Sequence, residues 1–123
     1  MPEVLIIDDN PTQLQVREAV LQGAGFSILT AGSAEQALKL LRDPGATSGL
    51  RVIITDHVLP GASGDDFVRK LRRFGPTVPV LVVTGMQEAE SKYAGLDITF
   101  LHKPCAPEDL IEEVRKAIQK SGL

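Results

Sequence analysis

Short apolar runs alternate along this chain with stretches whose apolar residues recur at helical spacing. Val4-Leu5-Ile6-Ile7, Val52-Ile53-Ile54 and Val80-Leu81-Val82-Val83 are the strongest runs. Each is β-branched or Leu without polar alternation, the pattern of strands buried on both faces of a parallel sheet. Residues 26–30 and 99–101 are weaker strand candidates.

The intervening stretches read as helices. Asn10-Pro11 supplies an N-cap and a first-turn proline, after which Val16, Ala19, Val20 and Gly23 share a face. Ser33-Ala34-Glu35-Gln36 is a capping box opening a helix with Ala37, Leu38, Leu40 and Leu41. Residues 64–74 carry Phe67, Val68, Leu71 and Phe74 at helical spacing, with Arg69, Lys70, Arg72 and Arg73 outside as a solvated face. Residues 87–94 predict a short, weakly apolar helix stopped by Gly95. Residues 107–120 carry Leu110, Ile111, Val114, Ala117 and Ile118. Five strand–helix units predict an α/β three-layer sandwich with right-handed crossovers, and are too few for an eight-fold barrel. In such open parallel sheets the site lies beyond the carboxyl ends of the strands.

Composition narrows the partners. With 123 residues, 43% apolar and 24% charged, the chain reads as one globular domain spanning 1–123. A net charge of −3 gives no reason to expect nucleic acid or an anionic membrane as partner. The single Cys105 excludes an internal disulfide and a cysteine-only zinc site. No apolar run approaches the ~20 residues of a membrane helix. Residues 1–10 do not read as a signal peptide, so a cytoplasmic, reducing location is expected.

The predicted strand ends carry the chemistry. They place Asp8-Asp9, Asp56, Thr84-Gly85 and Lys103-Pro104 at one sheet edge. Three neighbouring carboxylates repel unless a cation joins them. Oxygen-only ligands suit Mg²⁺. Lys103 offers a point charge and Thr84 a hydroxyl donor to phosphoryl oxygens. A carboxylate flanked by metal, ammonium and hydroxyl is a candidate nucleophile toward phosphorus.

The segments LIIDDN, VIITDHVLPGASG, VLVVTG and FLHKP resemble the receiver domain of bacterial two-component response regulators, over residues 3–119. The resemblance implies a flavodoxin-like fold with strand order 2-1-3-4-5. It implies Asp56 as phosphoacceptor, with Mg²⁺ held by Asp9 directly, by Asp8 through water, by Asp56 and by the Val58 carbonyl. Thr84 and Phe100 match the family's switch pair, Lys103 its phosphate-binding lysine and Pro104 its cis-proline. Val58 and Met86 match the positions bordering the approach of hydrolytic water. The implied partners are a histidine kinase or histidine phosphotransfer protein and a downstream protein, and the module is not itself a metabolic enzyme.

Three positions depart from the commoner pattern. Phe100 replaces a frequent Tyr, and Cys105 stands where Phe is common. Lys103 follows Thr84 by only 19 residues, about one helical turn short, so the fourth helix is expected to be short or distorted. Alternation turns His57 away from the Asp56 side chain and His102 away from Lys103. A receiver segment of a larger regulator or hybrid histidine kinase is the alternative. An Asp-nucleophile phosphohydrolase is more remote, because its acids would sit two residues apart after the first strand.

Overall fold

The structure, a computed structural model, describes residues 2–74, 77–85 and 87–121. Met86 lies outside the described residues. Strands β1 (Val4–Ile7), β2 (Ile28–Ala31), β3 (Val52–Asp56), β6 (Val80–Thr84) and β7 (Ile98–His102) form a parallel sheet in the order β2-β1-β3-β6-β7. With the separate two-stranded hairpin of β4 (Val58–Leu59) and β5 (Ala62–Ser63) set aside, this is the expected flavodoxin-like 2-1-3-4-5 order. Register aligns the strand ends: Ile7 pairs with Thr55, Asp56 with Val83 and Thr84 with His102.

Alternation along the strands divides the core in two. Leu5, Ile7, Ile53, Val80 and Val82 pack with Ala37 and Leu41 of α2 (Ala34–Leu41) and Phe67, Val68 and Leu71 of α4 (Gly64–Phe74). Val4, Ile6, Ile54, Leu81 and Val83 pack with Leu21 of α1 (Pro11–Gly23) and with Leu110, Val114 and Ala117 of α5 (Pro107–Ser121). Each large side chain so buried contributes about 1.5–3 kcal/mol before entropy is counted. Among the described residues, no helix is long and apolar enough to cross a membrane.

Local chemistry sets the helix starts. The Asn10 side chain accepts from the Thr12 and Gln13 N–H groups, at 3.0 and 3.2 Å, with Pro11 at the first position. Ser33 Oγ accepts from Gln36 N–H at 3.1 Å, and Gln36 Oε1 reaches back to Gly32 N–H at 2.7 Å. A four-residue helix α3 (Pro44–Thr47), absent from the sequence reading, starts the same way, with Asp43 accepting from Gly45 N–H.

Two expectations change, and a third takes a specific form. The first concerns α1, where Val16 is 56% exposed and Ala19 and Gly23 are also exposed. The face turned to the sheet carries Leu14, Arg17 and Leu21, and the arginine interrupts the apolar stripe that periodicity follows. The second concerns residues 87–93, where the fourth helix, expected to be short or distorted, is a 3-10 helix, Gln87–Tyr93. The crossover must run back along a five-residue strand, ~16 Å. Seven 3-10 residues cover ~14 Å against ~10 Å for α, so the tighter coil bridges a short connection. The third concerns Arg72, which is more than part of a solvated face. Its guanidinium donates to the Val78, Leu96 and Asp97 carbonyls, tying α4 to the loops before β6 and β7.

Candidate functional site

Asp8 and Asp9 follow β1, Asp56 and Thr84 end β3 and β6, and Lys103 follows β7. The Lys103 N–H donates to the Thr84 carbonyl at 2.9 Å, which extends the sheet to the lysine. Asp8, Asp9, Asp56, Val58, Thr84 and Lys103 line one cavity of about 290 Å³. The topology therefore brings together the residues that the sequence placed at the strand ends. The Lys103–Pro104 peptide is cis.

Asp8, Asp56 and Thr84 are buried, whereas Asp9 stands exposed at the rim. Asp8 Oδ1 accepts from Asn10 N–H at 2.9 Å. Burial pushes the Asp8 carboxyl up to about 6, the Asp56 carboxylate adds to the rise, and the Asn10 bond and Arg17 oppose it. Lys103 Nζ lies 3.2 Å from Asp56 Oδ1. A second cation was missed by the sequence reading: Arg17 Nη1 lies 3.1 Å from Asp8 Oδ2 and 3.4 Å from Asp56 Oδ1. The signal that could have found it is a charged residue on the inward face between Leu14 and Leu21.

The donor chemistry fits a hard divalent ion, since three carboxylates border one polar cavity. Their positions are not closed around a common point. Among the described residues, no group of three or more His, Cys, Asp or Glu side chains is gathered to hold an ion.

The opposite face of β3 carries a different cluster. His57 Nδ1 and the Tyr93 hydroxyl are hydrogen-bonded at 2.8 Å, both residues being buried. Burial pushes the Tyr93 phenol above its ordinary range. Asp65 Oδ1 lies 3.9 Å from His57 Nδ1, and Asp65 Oδ2 accepts from Arg69 at 2.6 Å. Tyr93 meets Phe100 edge-to-face at 5.3 Å, and Phe100 stacks on His102. His102 Nε2 pairs with Glu90 at 3.0 Å. His57 and His102 thus leave the sheet on the side away from Asp56 and Lys103. Gly64 is tightly placed here: a Cβ would meet the Tyr93 hydroxyl, the Asp56 carbonyl at 2.8 Å and His57 Cα at 3.0 Å.

A larger groove of about 590 Å³ adjoins the acid cavity and shares Lys103 with it. Val16, Val20, Pro104, Cys105 and Leu110 are among its walls, and Arg17 lines it too.

Comparison with known proteins gives one answer. The family profile of the response regulator receiver domain matches residues 4–115. The transcriptional regulatory protein TcrX of Mycobacterium tuberculosis is 30% identical over 123 residues, covering 98% of this chain and 51% of that protein. The phosphate regulon regulator PhoB of Pseudomonas aeruginosa is 28% identical over 124 residues, covering 97% and 52%. The chain spans about half the length of these curated relatives. A receiver domain protein from Clostridium thermocellum superposes with a TM-score of 0.87 at 27% identity, covering 99% of this chain and 98% of that one. Chemotaxis protein CheY4 of Vibrio cholerae gives 0.79 at 29% identity, covering 95% and 98%. The aligned strand ends, the acid cavity and the profile over 4–115 agree, and the chain belongs to the response regulator receiver domain family.

Proposed function

We propose that this receiver domain is a phosphoryl-accepting switch, with Asp56 as acceptor and a histidine kinase or histidine phosphotransfer protein as donor. One observation carries the reading: the buried Asp56 carboxylate ends β3 with Lys103 Nζ 3.2 Å from Oδ1, in a cavity that Asp8, Asp9 and Thr84 also border. An Asp56 oxygen attacks phosphorus, the P–N bond of the donor breaks, and its electron pair leaves with the imidazole. Lys103 stabilises one phosphoryl oxygen and the Thr84 hydroxyl donates to another. Asp8, Asp9, Asp56 and the Val58 carbonyl would hold Mg²⁺, which when bound neutralises charge on the transferring group.

The module turns over no metabolite. The acyl phosphate biases an equilibrium between two surfaces, through Thr84 and Phe100, and a downstream protein reads the result. Direct contact with nucleic acid or membrane has no part in it, and the cytoplasm is its place of work. The alternative, a receiver acting as a segment of a larger regulator, has the greater length of the matched transcriptional regulators on its side.

Incubation with a small-molecule phosphodonor and Mg²⁺ is expected to add one phosphoryl group to the intact mass. Asp56→Asn and chelator should each abolish the addition; full-yield labelling in either condition contradicts the assignment. Lys103→Ala should leave metal binding largely intact and impair the switch.

A further inference from the structure

Arg17 occupies a position that the fold turns inward, on the α1 face that carries Leu14 and Leu21. Its side chain is only 13% exposed. An arginine at such a position is costly unless its charge is matched. Here it is matched twice. Nη1 lies 3.1 Å from Asp8 Oδ2 and 3.4 Å from Asp56 Oδ1, and Nη2 is also 3.4 Å from Asp56 Oδ1. The planar fork reaches two carboxylates from adjacent strands, which a lysine's single ammonium does less well. Asp8 and Asp56 face two cations, Arg17 and Lys103, so these two carboxylates are matched from within while Asp9 stands at the exposed rim.

We propose that Arg17 is an internal counter-ion that competes with a divalent metal for Asp8 and Asp56, and so sets the metal affinity of the acid site. The proposal rests on reading Asp8, Asp9 and Asp56 as the metal-binding edge. The oxygens Arg17 contacts belong to two of those three carboxylates. A divalent ion on the same oxygens would stand a few ångström from the guanidinium. Two like charges a few ångström apart in a partly buried site repel strongly, and a doubly charged ion more so. Metal and guanidinium therefore exclude one another from Asp8 and Asp56. The displaced side chain has a place to go, because Arg17 also lines the adjoining 590 Å³ groove beside Gln13 and Val16. The groove is open to solvent, and the long stem can lie along its apolar wall while the head is hydrated. Arg17 is a positioning residue in this account: it pairs with the Asp8 and Asp56 carboxylates and sets the metal affinity through them.

Mg²⁺ binding to the full chain, measured by titration calorimetry, tests this on wild type, Arg17→Met and Arg17→Lys. Arg17→Met keeps the stem and removes the charge. It should bind Mg²⁺ at least about tenfold more tightly, and Arg17→Lys should fall between the two. In chelator Arg17→Met should melt below wild type, and saturating Mg²⁺ should raise its melting temperature by more than wild type's. Equal or weaker binding by folded Arg17→Met overturns the proposal while leaving Asp56 as acceptor untouched. If none of the three proteins binds Mg²⁺, the proposal and the metal-dependent reading fall together. Should Arg17→Met not fold in chelator, wild-type NMR decides. The Arg17 guanidinium protons should be protected in chelator and lose protection as Mg²⁺ is added; protection persisting at saturating Mg²⁺ overturns the proposal.

Discussion

Asp56 and His57 are neighbours in the chain and leave β3 on opposite faces, into two buried polar clusters of different chemistry. On the Asp56 side the groups are ionic: two carboxylates face a guanidinium and an ammonium, and a cavity opens beside them. On the His57 side the link to Tyr93 is one short hydrogen bond, closed in by Phe100 and Gly64, with the Asp65–Arg69 ion pair beside it. Charges at an open edge exchange partners with ions from solvent. A buried hydrogen bond between aromatic residues holds one arrangement, because breaking it strands two buried polar groups. The same sheet edge thus carries an exchangeable site on one face and a latch on the other. The latch holds the 3-10 segment, through Tyr93, against the strand that ends in Asp56.

Gly64→Ala should break both sides at once. The added methyl must displace the Asp56 carbonyl, the His57 backbone or the Tyr93 hydroxyl. A loss of about 2–3 kcal/mol in urea unfolding is expected, with lower phosphorylation yield. A wild-type midpoint and yield would show that the two clusters are less tightly joined than their distances imply.

Asp8 sharpens the acid side alone. Burial raises its carboxyl from the ordinary 3.8 to about 6 in the folded chain, so the folded state holds this proton more tightly. Its contribution to stability is therefore complete below about 3.8 and is lost as pH rises through about 6. In metal-free buffer this fall should be on the order of 1–2 kcal/mol, and Asp8→Asn should abolish that part of the slope. A slope unchanged by Asp8→Asn would assign it to another group.

Tyr93→Phe sharpens the other side. It removes the hydroxyl and leaves His57 Nδ1 buried without that partner, at a cost of about 1 kcal/mol. Phosphorylation yield should stay at the wild-type level. A matching loss of yield would mean the latch also shapes the acid site.

The smallest effect is expected at Val58, whose side chain is 68% exposed and borders the acid cavity. An apolar group there orients no water. Val58→Asn should speed loss of the acyl phosphate a few-fold in a decay time course, and an unchanged rate removes Val58 from that role.

The sheet and the Asp56 side of the comparison were largely legible in the sequence. Strands buried on both faces leave continuous apolar runs, and parallel register then brings Asp8, Asp56, Thr84 and Lys103 to one edge. Arg17 was not legible, because its partners are distant in sequence and its charge broke the stripe that marks an inward helix face. That is why periodicity favoured the exposed Val16 over the inward Leu14 and Leu21. Tyr93 was hidden for a related reason. Strand alternation turned His57 away from Asp56, but nothing local to residues 87–94 says which strand the tyrosine reaches. The two-residue strands around Pro60-Gly61 are too short to carry a period, although the φ of +72° at Gly61 explains the glycine.

Chemical trapping locates the acceptor most directly. The protein is treated with a phosphodonor and Mg²⁺, reduced with borohydride, digested and sequenced by mass spectrometry. Hydride converts an acyl phosphate to a primary alcohol, so an aspartyl phosphate becomes homoserine at its own position. The account predicts homoserine at residue 56, dependent on the donor and on Mg²⁺ and absent without them. Homoserine at residue 8 or 9, or phosphate on any side chain with none at 56, would contradict it.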